Sequence, residues 1–344
     1  MQSDPRGGYT TSILYRTAAL HFKNKPSPAT TNPTNPTPNS TPEPIAFQIT
    51  FLRRTSLGRA ILTVQEIKLG ARLSTIHITL SQPSDNDNPK KSGGELKVKL
   101  VAYITVSPPD AESGLAITGP WSLSPAAPAG SLPDGSVDFR RLSETGNDGS
   151  WTRIPTPPKQ LAAAQHIALY GPKEAFRRNW TLEDRVNQVV DQWGQFGPGG
   201  KPVKWSNEAV VYLLILFPAA LNRLGAMEEL RLKSLETDIG SSRDGQGQGQ
   251  QTEEGKRKGN LGIELSGRFW YPIVTMNIDL KRRIPEEGVD WIHSRVVTRV
   301  VRGGRGDLDV VLLDEQGEVA ATSAQVALVV DSARTTKGRG GGKL

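Results

Sequence analysis

The sequence Ile-Thr-Phe-Leu-Arg-Arg at positions 49–54 returns in a similar form, Ile-Asp-Leu-Lys-Arg-Arg, at positions 278–283. Each copy is followed by a second apolar stretch, a Gly-x-Arg turn (70–72 and 303–305) and a further apolar stretch. The offset between the copies is 229 residues at the first segment and 233 at the turn, so a small insertion separates them. A β-rich unit that occurs twice at a nearly constant offset indicates two copies of one fold in one chain.

Both copies are rich in β-branched residues and are punctuated by glycine, as strands are. The segment 185–196 is predicted as a further strand or a short helix, because its apolar residues fit either period. The strands predicted in the two copies are 45–54, 59–68, 74–81 and 96–106, and then 271–282, 291–301, 307–314 and 318–331.

A helix is predicted ahead of the strands in each copy. The first runs from Gly7 to about Phe22, and the second begins after Ser206, a favourable N-cap, and runs to about Leu221. The second helix is apolar nearly all round, which is typical of a buried helix. We therefore predict an α+β protein in which a curved antiparallel sheet wraps a buried helix in each copy.

These elements divide the chain into a first unit at 1–107, a connector at 108–160 and a second unit at 161–333. Four segments are predicted to be disordered because they are rich in Pro, Thr, Asn, Gly or Gln and cannot pack a core. They are 26–44 and 82–94 in the first unit, 236–260 in the second, and the tail 334–344.

Composition excludes several classes of protein. The 344-residue chain has no cysteine, so disulfides, thiolate metal sites and cysteine nucleophiles are excluded. The net charge is +7, but basic residues cluster at 256–258 and 337–343 rather than in a stripe interleaved with aromatic residues, and no nucleic-acid partner is expected. The longest apolar run, 209–221, is too short to span a membrane. We expect a cytoplasmic protein, and the final Gly342-Lys343-Leu344 only partly matches the peroxisomal Ser-Lys-Leu address.

Five segments of the second unit resemble the fungal thioesterase-like proteins, which are similar to the acyl-CoA thioesterase II family. They are 271–279, 285–291, 306–309, 313–318 and 324–330, and the first unit agrees at 7–9, 51–54 and 73–77. The resemblance implies a double hotdog, in which two helix-plus-sheet repeats form one continuous pseudo-dimeric sheet. It also implies a hydrolase for acyl-CoA or another acyl thioester that uses no cofactor and no metal. A homo-oligomer is an open alternative.

The family holds the hydrolytic water with an Asp, a Thr or Ser, and a Gln of the second hotdog. By resemblance these positions fall on Asn277, Thr298 (with Arg299 as the neighbouring alternative) and Gln325. An amide can orient water but cannot accept its proton, so Asp279, two residues beyond Asn277, is the candidate for the missing carboxylate.

The resemblance also places the oxyanion donors at Gly7 and Gly8. The N-terminus of a helix offers unpaired N–H groups to a developing negative charge, and glycine lets a substrate approach the backbone closely. The family has a strand ahead of this helix, so the sequence is expected to lack that strand.

Other functions remain as alternatives. Asn277 in place of an acid favours a catalytically weakened or inactive hotdog that binds an acyl ligand or a protein partner. The hotdog dehydratases use a His with an Asp, but no such motif surrounds His77, which makes that activity a poor fit. The four histidines, His21, His77, His166 and His293, do not have metal-ligand spacing.

Overall fold

The computed structural model of the protein describes residues 7–25, 40–83, 95–117, 121–126, 137–154, 166–173, 189–197, 201–216 and 269–331. Within these ranges no helix is both long enough and apolar enough to cross a membrane. The first unit consists of one helix and four strands, α1 (Gly7–Lys23), β1 (Glu43–Phe51), β2 (Ile61–Lys68), β3 (Ser74–Pro83) and β4 (Leu96–Ser107).

The connector and the second unit contain the remaining elements. The connector holds α2 (Phe139–Thr145) and β5 (Trp151–Arg153). The second unit holds β6 (Ile167–Pro172), β7 (Val189–Phe196), α3 (Asn207–Leu214), β8 (Phe269–Trp270), β9 (Ile273–Leu280), β10 (Trp291–Val297), β11 (Val301–Arg302), β12 (Arg305–Leu313), β13 (Val319–Leu328) and β14 (Val330–Asp331).

One antiparallel sheet runs through both units, in the order β2-β3-β4-β1-β9-β13-β12-β10-β7-β6-β5. The units join where β1 pairs with β9, and in that register Gln48 lies opposite Asn277. These two residues are also separated by the 229-residue offset of the repeat, so a pseudo-two-fold axis passes between them. The predicted α+β double hotdog with a continuous pseudo-dimeric sheet is confirmed.

The helices α1 and α3 pack against each other in antiparallel directions on one face of this sheet. Thr11 Oγ1 donates to the carbonyl of Val211 at 3.3 Å, and Arg16 pairs with Glu208 at 3.0 Å, nearer the start of α3. The N-cap Ser206 accepts a hydrogen bond from the third residue of α3, which stabilises the helix by about 1 kcal/mol. Most of α3 is buried, as predicted, and each fully buried aliphatic side chain contributes about 1.5–3 kcal/mol.

The element boundaries differ modestly from prediction. Strand β1 begins at Glu43 and β3 extends to Pro83, so the segments predicted to be disordered are too long at 43–44 and 82–83. The residues 185–196 contribute strand β7 from Val189 onward. Helix α3 ends at Leu214, before Pro218. The predictions for 26–39, 84–94, 236–260 and 334–344 lie outside the described residues.

The connector, predicted only as a Pro/Gly/Ser-rich link, forms a layer on the outer face of the second unit, the face away from α1 and α3. Asp138 caps α2 by accepting from Arg141 N, and Gly146 ends it with a positive φ of 76°. Strand β5 extends the main sheet by pairing with β6. Apolar residues of the connector and the sheet pack together as a second apolar cluster, namely Leu142, Trp151, Tyr170, Trp193 and Trp291.

Both arginines of the second copy, Arg282 and Arg283, form ion pairs within the protein. Arg283, from the second unit, pairs with Glu43 at 2.8 Å and with Glu112 at 2.6 Å, and it donates to the carbonyl of Ser107 at 2.8 Å. Glu43 and Ser107 belong to the first unit, and Glu112 lies just after it in the chain. Arg282 pairs with the buried Asp314. The second copy of the motif therefore ties the two units together.

Candidate active site

Gln325 is a buried amide with a defined orientation. It lies on β13, facing the helices, and only 3% of its surface is exposed. Its Nε2 donates to the carbonyl of Leu214 at 2.7 Å and to Ser323 Oγ at 3.2 Å. An amide nitrogen carries two hydrogens, so both are used. The oxygen Oε1 is buried and has no partner among the described residues, so Gln325 presents a free hydrogen-bond acceptor to the interior.

This polar position occurs in one unit only. Gln325 lies opposite Met276 of β9, and the residue of β1 that corresponds to Met276 at the 229-residue offset is Phe47, which lies opposite Ile104 of β4. Ile104 is therefore the counterpart of Gln325. Buried polar groups are costly unless they are hydrogen-bonded, so a glutamine where the repeat has an isoleucine needs a specific explanation. The sheet geometry favours a single site in the second unit.

The first turn of α1 lies close to Gln325. Helices α1 and α3 are antiparallel, and Thr11 of α1 contacts Val211 of α3. Gly8 precedes Thr11 by three residues and Leu214 follows Val211 by three residues, so both lie about 4.5 Å from this contact in the same direction, at 1.5 Å per residue. Leu214 is the residue whose carbonyl binds Gln325. The predicted oxyanion donors Gly7 and Gly8 are the first two residues of α1, where helix N–H groups have no partner within the helix.

Thr298 lies on the same face of the sheet but further away. It follows β10 directly and is 4% exposed. Strand β12 lies between β10 and β13, so Thr298 and Gln325 are about 10 Å apart across the sheet at 4.8 Å per strand. Direct contact between the two side chains is ruled out by Leu308, which pairs with Gln325 and occupies the intervening strand. The neighbouring Arg299 is exposed and pairs with Asp307 and Asp309.

Asn277 and Asp279 lie on the opposite face. Their strand buries Met276 and Ile278 against the core, so the alternate residues point away from the helices. Asn277 is exposed, and Asp279 pairs with Lys281 on the same outer face. The structure therefore does not bring these two residues together with Gln325, because the sheet separates them.

Ser323 is a member of the site that the sequence reasoning missed. The residue is 5% exposed, and its hydroxyl accepts from Gln325 Nε2. The signal was present, since residues two apart on a strand share a face, and the sequence Ser-Ala-Gln at 323–325 puts two polar residues on one face of an otherwise apolar strand. No titratable group is needed to orient the Gln325 amide.

Two models of known protein families match this chain, one in each unit. The family model described as the acyl-CoA thioesterase N-terminal domain matches residues 1–107, and the model of the acyl-CoA thioesterase C-terminal domain matches residues 134–329. The thioesterase-like protein TwmA of Talaromyces wortmannii is 27% identical over 343 residues, which cover 98% of this chain and 87% of that protein.

Solved structures show the same fold. A putative thioesterase from Novosphingobium aromaticivorans superposes with a TM-score of 0.56 at 12% identity, covering 96% of this chain and 89% of that one. A putative thioesterase II from Thermobifida fusca gives 0.54 at 16% identity, covering 95% and 89%. The fold and the two domain matches agree, and the chain belongs to the acyl-CoA thioesterase family.

Proposed function

We propose that the protein hydrolyses acyl-CoA or another acyl thioester at the site between the first turn of α1 and Gln325. The observation that carries the proposal is the free Oε1 of Gln325, held by two hydrogen bonds from its own nitrogen beside the end of α3. An acceptor fixed in this way binds a hydrogen of a water molecule and directs the oxygen lone pair toward an electrophile.

The helix supplies the complementary group. N–H groups at the start of α1, including those of Gly7 and Gly8, would bind the thioester carbonyl oxygen and stabilise the negative charge that develops there. Water oxygen then bonds to the carbonyl carbon, the C–S bond breaks, and a proton from the water accompanies the departing thiolate to give acid and thiol. Gln325 orients the water and does not act as a base, since an amide does not accept the proton.

The competing hypothesis of an inactive acyl-binding hotdog was motivated by Asn277. Because Asn277 is exposed on the outer face, an amide at that position has no bearing on a water held by Gln325. Neither Asn277 nor Asp279 belongs to the proposed site. Thr298 stays in the proposal only as a residue that lines the same face of the sheet.

Purified protein is expected to release free thiol from at least one member of a panel of acyl-CoAs of increasing chain length. The assay is a thiol-reactive dye, and the chain contributes no background because it has no cysteine. A folded protein that releases no thiol above the buffer rate, with any chain length, would refute the hydrolase proposal. Binding of a non-hydrolysable thioether analogue in that case would identify an acyl-binding protein instead.

Replacing Ser323 by alanine is expected to lower kcat roughly five- to tenfold, the equivalent of one hydrogen bond of about 1 kcal/mol, while KM stays within about twofold. The reason is that the amide of Gln325 loses one of the two bonds that fix its orientation. Ser323→Thr keeps the hydroxyl and should restore most of the rate.

Ser294 provides the matched control for this experiment. It is a buried serine on β10 whose hydroxyl donates to the carbonyl of Gln192 at 3.4 Å, away from Gln325. Ser294→Ala should leave kcat unchanged. If both alanine variants lose the same activity, Ser323 has only a general packing role.

A further inference from the structure

A second polar cluster is buried on the outer face of the second unit, beneath the connector, and the hydrolytic site does not use it. Strand β10 contributes His293 and Arg295 to this face, and β7 contributes Asp191 and Trp193. The connector strand β5 covers them with Trp151. His293, Trp193 and Trp151 are each at most 1% exposed.

The charges of this cluster are balanced. Arg295 binds Asp191 through two parallel hydrogen bonds, Nε to Oδ1 and Nη2 to Oδ2, both at 2.9 Å. Arg295 Nη1 also donates to the carbonyl of Pro125 in the connector. Burial pushes the pKa of Asp191 upward, but the hydrogen bonds from His293 and Arg295 outweigh burial and hold that pKa below its usual value. The pair therefore carries one negative and one positive charge.

The aromatic rings of the cluster carry polar atoms that lack hydrogen-bond partners. The indole nitrogens of Trp151 and Trp193 and the Nδ1 atom of His293 have no hydrogen-bond partner within the described residues. His293 Nε2 lies 3.3 Å from Asp191 Oδ1, an oxygen that already accepts from Arg295 Nε. Both indole rings meet the imidazole edge-on, with ring centroids 6.3 Å away for Trp151 and 5.1 Å for Trp193.

Buried polar atoms in folded proteins nearly always have partners, so three unpaired atoms on three neighbouring rings point to a bound molecule. An indole only donates, and a neutral imidazole with its hydrogen on Nε2 accepts at Nδ1. The ligand must therefore accept from two N–H groups and donate to one nitrogen. A halide ion cannot donate, and the nearby carboxylate of Asp191 repels it.

We propose that Trp151, Trp193 and His293 form an internal binding site for a single neutral hydroxylic molecule, water, which joins the connector to the sheet. Water accepts two hydrogen bonds and donates the third, which matches the usual number for a buried water. The bound molecule lets the connector bury two indoles without leaving their N–H groups unsatisfied. The connector is then held on the sheet by the hydrogen bonds of this water as well as by aromatic packing.

The test is water-selective NOE spectroscopy on protein labelled with ¹⁵N at its seven tryptophans. The indole N–H signals of Trp151 and Trp193 should each show a cross-peak to a long-lived water molecule. Trp205 is the internal control, because it is also fully buried but its Nε1 donates to the carbonyl of Gly194 at 3.1 Å. Absence of the water cross-peak at both Trp151 and Trp193 would overturn the proposal.

Single variants assign the signals and give a second measurement. Trp151→Phe and Trp193→Phe each remove one donor, and each should raise the unfolding equilibrium constant roughly five- to tenfold in addition to the effect of the smaller ring. The double variant should cost less than the product of the two, since both donors serve one molecule. If the effects of the two substitutions on the free energy of unfolding are strictly additive, or if the stability of the protein rises with chloride concentration, a shared water is contradicted.

Discussion

Gln325→Ala is expected to lower kcat for thioester hydrolysis about 100-fold while KM changes only a few-fold. The truncation removes the buried acceptor that orients the water but leaves the first turn of α1, which binds the carbonyl, in place. It also removes the donor to the Leu214 carbonyl, a bond of 2.7 Å. Steady-state kinetics with the best acyl-CoA substrate and a denaturant unfolding curve separate the catalytic loss from any loss of stability.

Two controls make this experiment specific. Gln82 is also a buried glutamine, at 5% exposed, but both ends of its amide bind the backbone of Ser56. Gln82→Ala should therefore reduce stability without changing kcat. Asn277→Ala tests the position that family resemblance suggested, and its exposed side chain should be dispensable. A larger kcat loss in Asn277→Ala than in Gln325→Ala would move the site to the outer face and refute this assignment.

The repeat in the sequence predicted two copies of a helix-plus-strands unit because the local signals agreed in both copies. The β-branched segments became strands, the all-apolar segment after Ser206 became the buried α3, and the Arg-Arg segments marked the two central strands. Those strands join the units through backbone hydrogen bonds between β1 and β9. Sequence periodicity reports none of these pairings directly, and it was the family resemblance that implied one continuous sheet.

The site was harder to predict because the face on which a strand residue lies depends on its neighbours. Asn277 is flanked by Met276 and Ile278, and this alternation already indicated an outward-facing amide. Gln325 is flanked by Ala324 and Val326, which are compatible with either face. Its burial follows from packing beneath α3, a contact between residues 111 apart in the chain.

The connector shows a different limit. Its composition hid two regular elements, although the sequence carried helix signals on both sides of α2, namely Asp138 as N-cap and Gly146 in the left-handed conformation that glycine favours. What no local signal could show is that this segment covers β7 and β10. That position explains why β10 is buried on both faces and why charged residues occur in its interior.

Asp191→Ala is expected to destabilise the protein by about 3–5 kcal/mol, since it leaves the Arg295 guanidinium buried without a counter-charge. The Arg295 side chain is 3% exposed and that of Asp191 is 6% exposed, so water cannot replace the lost carboxylate. The measurement is the free energy of unfolding from urea or guanidinium titration. Glu144→Ala is the matched control, because it removes a carboxylate from the exposed Arg140–Glu144 pair of the same outer layer and should cost about 0.5 kcal/mol or less.

The double variant Asp191→Leu with Arg295→Met distinguishes the loss of a pair from the burial of a lone charge. Replacing a buried ion pair with apolar side chains of similar size is often neutral, so the double variant should be more stable than Asp191→Ala. Hydrolysis should persist in it, since the cluster lies on the face of the sheet opposite Gln325. If Asp191→Ala unfolds with nearly wild-type free energy, then the Arg295 charge reaches solvent and the connector does not seal this face.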